Sequence, residues 1–275
     1  VAAVAKAAGI PTEVAFLDAT TAADVVACQT RTADLVVANN VLAHVPDING
    51  FVAGLALLIA ADGTLSVEVP HLLKLVDGVQ FDTIYHEHYA YWSLLAVERL
   101  FGRHGLHVYD VEHLSTHGGS LRILASPTLR PASAAVLALR QFEADRGLDD
   151  DRFYTGFNAC VADVLQSFSA WAAAQSDMGR KVAAYGAAAK GNTFLNAAHI
   201  TAGDFLAVAD LSPSKQGRLL PGSHIPVVAP QDLLALQPDE ILILPWIIAP
   251  EITAQLRGAG FKGGLWTAIP KMRRL

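Results

Sequence analysis

Over the first 70 residues, short apolar runs alternate with longer stretches whose apolar residues recur every three or four positions. The runs 13–17, 34–38 and 64–69 predict strands, and the stretches 21–29 and 47–61 predict the helices between them. That alternation is the pattern of parallel strands joined by crossover helices, here part of a doubly wound sheet. Asp62-Gly63 supplies the turn before the third run, and Pro70 ends it because proline has no amide hydrogen to give a neighbouring strand. Residues 1–9 read as a short helix with Gly9 at its C-terminal cap. Further on, 93–104 predicts a helix capped by Gly105, and 106–111 and 120–126 predict two strands flanking the Gly118-Gly119 turn. From Pro127 to Asp177 the period becomes helical, over 132–142 and 153–171, around a polar break at 145–152. A second α/β unit comes next, with strands at 181–185, 205–209, 240–244 and 264–268, a helix running to Ala198, another over 249–257, and a long Pro/Gly loop at 212–226. The expected fold is α/β: a partial Rossmann-like sheet over residues 1–126, then a helical bridge and a second Rossmann-like domain over 127–275.

Composition narrows the class. At 275 residues, two domains are the better expectation, and with 52% apolar residues a large core is available. No apolar run is long enough to span a membrane, and no basic segment with an apolar stretch and cleavage site opens the chain. A cytoplasmic, monomeric enzyme is expected. The net charge of −6, with Lys and Arg scattered apart from 271–274, offers no footprint for nucleic acid. Cys28 and Cys160 are far apart and lack a CxxC partner, so neither a disulfide framework nor a cysteine zinc site is expected; both read as buried small hydrophobes.

The densest chemistry lies in Phe81-Asp82-Thr83-Ile84-Tyr85-His86-Glu87-His88-Tyr89-Ala90-Tyr91, where two imidazoles, a carboxyl and three phenols crowd the stretch from Tyr85 to Tyr91. Such groups suit proton abstraction near neutral pH; the plainer alternative is a solvated loop. His86, Glu87 and His88 lack a third metal ligand at helical spacing, so no metal is expected. In Gly186-Ala187-Ala188-Ala189-Lys190-Gly191-Asn192-Thr193, small residues between a strand and a helix allow a diphosphate to approach free amides, with Lys190 as a point charge, Asn192 or Thr193 as a hydrogen-bonding group and Asp210 at the end of the next strand for ribose hydroxyls. The plainer alternative is that the same small residues merely allow tight helix–sheet packing. Asn39, Asn40 and His44 leave a strand's carboxyl end, where open sheets place ligands, or else serve the turn. Asp18 is similarly placed for an adenine contact. His117 and Arg122 flank a glycine turn that is either a hairpin or a ligand contact.

Taken in order, Asn40-Val41-Leu42-Ala43-His44-Val45-Pro46-Asp47, the 81–91 segment, 117–122, 185–196 and the 215–222 loop resemble the S-adenosylmethionine-dependent C-methyltransferases that act on nucleotide-linked 4-keto deoxysugars in antibiotic pathways, the tetronitrose type. The resemblance covers nearly the whole chain. It implies a class I methyltransferase sheet in the first domain and a sugar-nucleotide-binding Rossmann-like domain in the second. It also implies methyl transfer to C3 of a dTDP-linked sugar through an enolate, with His88 as the base, Tyr85 and Glu87 orienting groups, and His44 near the developing oxyanion; His86 is an alternative base. S-adenosylmethionine would meet Asp18, Asn39 and Asn40, and the sugar nucleotide His117, Arg122, Gly186, Lys190, Asn192 and Asp210. Members of the family begin with a zinc domain and a glycine-rich cofactor loop, neither of which occurs before Val1, so the chain reads as N-terminally truncated. Two other readings stay open: a sugar-nucleotide-binding fragment without activity, and an NAD(P)-dependent sugar-nucleotide oxidoreductase or epimerase. The latter needs hydride machinery such as a Tyr-x-x-x-Lys pair, which the first α/β unit lacks.

Overall fold

The computed structural model describes residues 1–275 and divides into two compact units, residues 1–71 with 89–149 and residues 72–88 with 150–275. The first opens with α1 (Ala2–Ala7) and α2 (Ala19–Gln29). Asp18 starts α2 by accepting a hydrogen bond from the Thr21 amide at 2.8 Å. Strand β1 (Ala33–Asn39) leads to α3 (Ile48–Leu58), which Asp47 caps through the Gly50 amide, and α3 runs without a loop into β2 (Ile59–Pro70). The chain then enters the second unit for α4 (Leu72–Asp77) and returns at Tyr89 for α5 (Leu94–Gly102), β3 (His107–Leu114), β4 (Ser120–Ser126) and α6 (Ala134–Asp145).

The sheet order is β1-β2-β4-β3, with β1 parallel to β2 and both of β4's pairings antiparallel. Leu65, Val67, Val69, Leu121 and Ile123 alternate along the central strands and pack against Val52 and Leu55 of α3 and Val97 and Phe101 of α5. Each such side chain contributes about 1.5–3 kcal/mol by leaving water. The outer edge of β1 has no strand partner and exposes Leu35 and Val37. The strand expected at 13–17 does not form: a strand exists by pairing, and Val14 and Phe16 lie exposed instead.

In the second unit, α7 (Phe157–Asp177) buries Val164, Phe168, Trp171 and Gln175, a stripe at steps of four, three and four. Beyond it lie β5 (Val182–Tyr185), α8 (Ala189–Ala197), β6 (Val208–Ala209), β7 (Val227–Val228), α9 (Pro230–Ala235), β8 (Glu240–Ile243), α10 (Ala249–Gly258), β9 (Gly264–Thr267) and β10 (Arg273–Arg274). Their order, β10-β9-β8-β5-β6-β7, is parallel except for β10. Counted from β5, this is the 3-2-1-4-5-6 arrangement of a doubly wound dinucleotide-type sheet, with its order reversing between β5 and β8.

The α/β expectation therefore stands, whereas the boundary expected at 126/127 moves to 149/150. Helix α6 packs against β3 and α5 and so belongs to the first unit instead of a bridge, and its buried Glu143 binds the Leu94 and Leu95 amides at 2.8 and 2.9 Å. The cysteines also differ from expectation: Cys28 and Cys160 are exposed free thiols, each on a solvent-facing side of its helix. No helix is long and apolar enough to cross a membrane.

Candidate functional site

In the second unit the chain from Gln80 to His88 is a pair of tight turns. The Thr83 and Ile84 amides bond to the Gln80 and Phe81 carbonyls, the Thr83 hydroxyl donates to Gln80 O at 2.8 Å, and the His88 amide closes on Tyr85 O at 2.9 Å. These turns bring His88 back over its own segment, so that its Nδ1 lies 2.7 Å from the Thr83 carbonyl oxygen. A carbonyl only accepts, so Nδ1 carries the hydrogen and Nε2 is the basic nitrogen of the neutral ring. The Tyr85 ring sits 4.3 Å from the His88 ring, centroid to centroid, and 6.4 Å from His86. Burial, with the charges of Glu87 and Asp82 adding to it, pushes the Tyr85 phenol above its ordinary pKa. Tyr85 is therefore a hydrogen-bond donor at neutral pH and not a base. His86 and Glu87 are exposed.

Beneath this cluster, Asp82 is buried and accepts a hydrogen bond from Trp246 Nε1 at 2.9 Å. Desolvation raises its carboxyl above the usual carboxylate range, against the pull of Trp246 and of the Lys190 charge. Burial likewise lowers the Lys190 ammonium, against the Asp82 charge. Neither Asp82 nor Trp246 was a candidate from sequence, although Asp82 stands within the histidine-rich segment.

The Gly186 turn follows β5 at φ 98°, a conformation that favours glycine, and a side chain at Gly186 would collide with the Pro245 ring. A side chain at Gly191 would meet Leu244. The Ala187 amide donates to Asp210 Oδ2 at 2.9 Å, and Asp210 is held further by the Ser212 amide and the Lys215 ammonium. The space a side chain would take at Gly186 belongs to Pro245, as tight packing requires, and Asp210 takes one amide of the turn. Asn192 keeps Oδ1 buried without a partner.

The first unit carries the remaining candidates at the carboxyl end of its parallel pair. His44 is exposed and ends the short 3₁₀ turn Leu42–His44, and the Ala43 carbonyl of that turn accepts from the Tyr89 amide at 2.8 Å. Asn39 is exposed at the end of β1. Asn40, at φ 53°, donates through its backbone to Glu68 O at 2.8 Å and through Nδ2 to Glu68 Oε1 at 3.5 Å. Glu68 also receives the Thr116 hydroxyl at 2.9 Å and lies 4.0 Å from Arg122, which pairs more closely with Glu112 at 2.9 Å. One buried carboxyl thus ties the Asn40 turn to the turn bearing His117, itself exposed at φ 56°. The sequence signal for Glu68 is an acidic residue inside the apolar run 64–69.

S-adenosylmethionine fits these residues in one respect: Asn40 Oδ1 is buried without a partner, an acceptor suited to a ligand that offers amino hydrogens. The Asp18 carboxyl is engaged at the start of α2, which holds it below its usual pKa through the Thr21 amide and hydroxyl.

Comparison with known proteins matches the chain to two family models in succession. A family model described as the C-methyltransferase C-terminal domain matches residues 115–270, and one described as a methyltransferase domain matches residues 4–111. The C-methyltransferase NovU of Streptomyces niveus is 38% identical over 225 residues, 80% of this chain and 53% of that protein, so the chain spans about half the length of this relative. Two solved structures resemble it slightly. Magnesium protoporphyrin IX methyltransferase (ChlM) from Synechocystis PCC 6803, with bound SAH, is 18% identical over 34% of this chain and 44% of its own, at a TM-score of 0.28. The Haloferax volcanii complex of the Trm112 methyltransferase activator with a methyltransferase is 13% identical over 44% of this chain and 60% of that chain, at 0.31. With the C-methyltransferase C-terminal domain matched across more than half of its length, the chain belongs to the C-methyltransferase family.

Proposed function

We propose that the protein carrying this chain transfers a methyl group from S-adenosylmethionine to C3 of a nucleotide-linked 4-keto deoxysugar, dTDP-linked in its natural form, as a step of antibiotic sugar biosynthesis. The observation that carries the reading is the His88 ring, whose Nδ1 donates to the Thr83 carbonyl and whose Nε2 is thereby left basic, beside a phenol kept protonated. Membership of the C-methyltransferase family and the likeness to NovU supply the reaction class.

A ketone at C4 acidifies the C3 hydrogen. His88 Nε2 takes that proton, and the charge that develops at the C4 oxygen is met by hydrogen-bond donors, His44 and Tyr85 being proposed for that role and Glu87 for orienting the sugar. When bound, S-adenosylmethionine supplies an electrophilic methyl group; Asn39, Asn40 and Asp18 are the residues proposed to hold it. His117, Arg122 and Asn192 are proposed to contact the sugar nucleotide, while Gly186 and Asp210 have their polar and open faces already engaged. Holding the sugar carbon in line for methylation is worth up to about 7–11 kcal/mol of barrier.

The nicotinamide-dependent alternative has the 3-2-1-4-5-6 strand order in its favour, but the Ala187 amide in the turn that would receive a dinucleotide diphosphate already donates to Asp210. The test is incubation of the natural protein with methyl-labelled S-adenosylmethionine and a dTDP-4-keto deoxysugar. Label on a sugar carbon supports the proposal. Label absent from the sugar, or found on oxygen, overturns it.

A further inference from the structure

In a doubly wound sheet the ligand crevice opens at the carboxyl ends of the strands on either side of the order reversal, which in the second unit are β5 and β8. Here the protein's own chain fills it. Phe81 is buried with its ring 5.9 Å from that of Phe194 on α8. The Asp82 side chain, 1% exposed, meets the indole N–H of Trp246, the first residue of the turn beyond β8. Lys190, in the first turn of α8, places its ammonium 6.0 Å from the centre of the Trp246 ring. The cavity that remains, lined by Asp82, Phe194, Leu244 and Trp246 among others, measures about 10 Å³, room for one water and no more.

We propose that the 81–83 turn is a tethered occupant of this crevice, and that the Asp82–Trp246 hydrogen bond is the lock that fixes the Thr83 carbonyl under His88. Asp82 and Trp246 are then positioning residues for the base, a role that rests on the methyltransferase reading above. The route is short. Asp82 is bonded directly to Thr83, the Thr83 hydroxyl and amide are tied to Gln80, and the Thr83 carbonyl accepts the His88 Nδ1 hydrogen at 2.7 Å. If the turn shifts, that carbonyl leaves its place, and with it goes the constraint that puts the hydrogen on Nδ1 and the lone pair on Nε2. Asp82 Oδ1 has no protein partner, so the indole is the one side-chain donor the structure gives this carboxyl. The raised Asp82 and lowered Lys190 pKa values are what a dry crevice imposes on both charges. A sheet laid out to bind a nucleotide thus serves as the clamp for the catalytic segment.

The experiment reads the His88 ring directly, by long-range ¹H–¹⁵N spectra of the ¹⁵N-histidine-labelled chain at a pH where the ring is neutral, with circular dichroism to establish that each variant is folded. The wild type is expected to show the Nδ1–H form. Trp246→Phe, which keeps an aromatic ring, and Asp82→Ala are expected to lose it, whereas Asp82→Asn, which still offers an oxygen to the indole, retains it. Folded Trp246→Phe and Asp82→Ala variants with the wild-type tautomer overturn the lock, as does an Asp82→Asn variant that loses it as fully as Asp82→Ala.

A second arm measures methyl transfer by the natural protein, where Trp246→Phe is expected to lower kcat about ten-fold or more, with the KM for the sugar nucleotide within about two-fold of wild type. Tautomer loss in the variants of a protein that transfers no methyl group sustains the lock and rejects the proposed reaction. Active wild type with variants unchanged in both tautomer and kcat does the reverse.

Discussion

Glu143 offers the severest stability test of the first unit. It is fully buried on α6, and its two carboxyl oxygens serve three donors: His71 Nε2 at 2.8 Å and the Leu94 amide at 2.8 Å on Oε1, and the Leu95 amide at 2.9 Å on Oε2. The two amides are orphan donors of the first turn of α5, and His71 is the residue immediately after β2. Glu143→Ala leaves all three without an acceptor. At about 1–3 kcal/mol for each buried donor left unmade, and with some recovery by water, the loss is about 3–6 kcal/mol. That is a large part of the total stability of an ordinary domain, about 5–15 kcal/mol. Glu143→Gln keeps one acceptor oxygen and turns the other into a donor, so its cost is about 1–3 kcal/mol. Thermal unfolding followed by circular dichroism should place Glu143→Ala about 10 °C or more below the wild type, with Glu143→Gln between the two. A shift in Glu143→Ala below about 2 °C, or a glutamine variant as unstable as the alanine, refutes the assignment of Glu143 as the anchor of α5.

Three further outcomes are expected from the geometry. Replacing Glu68 with Ala removes the acceptor shared by Thr116 and Asn40; it should cost about 1–3 kcal/mol in denaturant unfolding, and an unchanged midpoint excludes the network. Because the Asp82 carboxyl is raised by burial, its contribution to stability is complete below the unfolded carboxyl pKa of about 3.9 and is lost as pH rises through the folded value. Asp82→Asn should therefore gain on the wild type in melting temperature between about pH 4 and pH 8, and parallel curves contradict that sign. Gly186→Ala combines a positive φ with a collision against Pro245; a loss of about 2–5 kcal/mol is expected, and near-neutral stability rejects the packing reading of this turn.

The periodic elements were legible in the sequence because each announces itself locally. The strands at 33–39 and 120–126 and the helix at 249–258 need only their own apolar pattern and neighbouring turn residues to be read. What was not legible depends on partners distant in sequence. The run 13–17 has strand composition but nothing to pair with. The stretch 134–145 looked like part of a bridge, since nothing nearby marks Glu143 as different from its solvated neighbours Gln141 and Asp145. The glycine turn at 186 reads alike for a phosphate cradle and for packing, and the Pro245 ring against it comes from nearly sixty positions later. Within the candidate site, the density of histidine and tyrosine at 85–91 is visible in the sequence itself. The Asp82–Trp246 contact, and the carbonyl that fixes the His88 tautomer, emerged only with the fold.

The central claim is that His88 is the base that enolises the sugar. Hydrogen exchange at C3 of the 4-keto sugar nucleotide in deuterated water, measured by NMR for the natural protein and its His88→Gln variant with S-adenosylhomocysteine in place of the methyl donor, tests it most directly. Enzyme-dependent deuterium uptake at C3 is expected in the wild type, with a fall of at least about a hundred-fold in the variant, within the range general-base catalysis supplies. Exchange at the wild-type rate in a folded His88→Gln protein contradicts it.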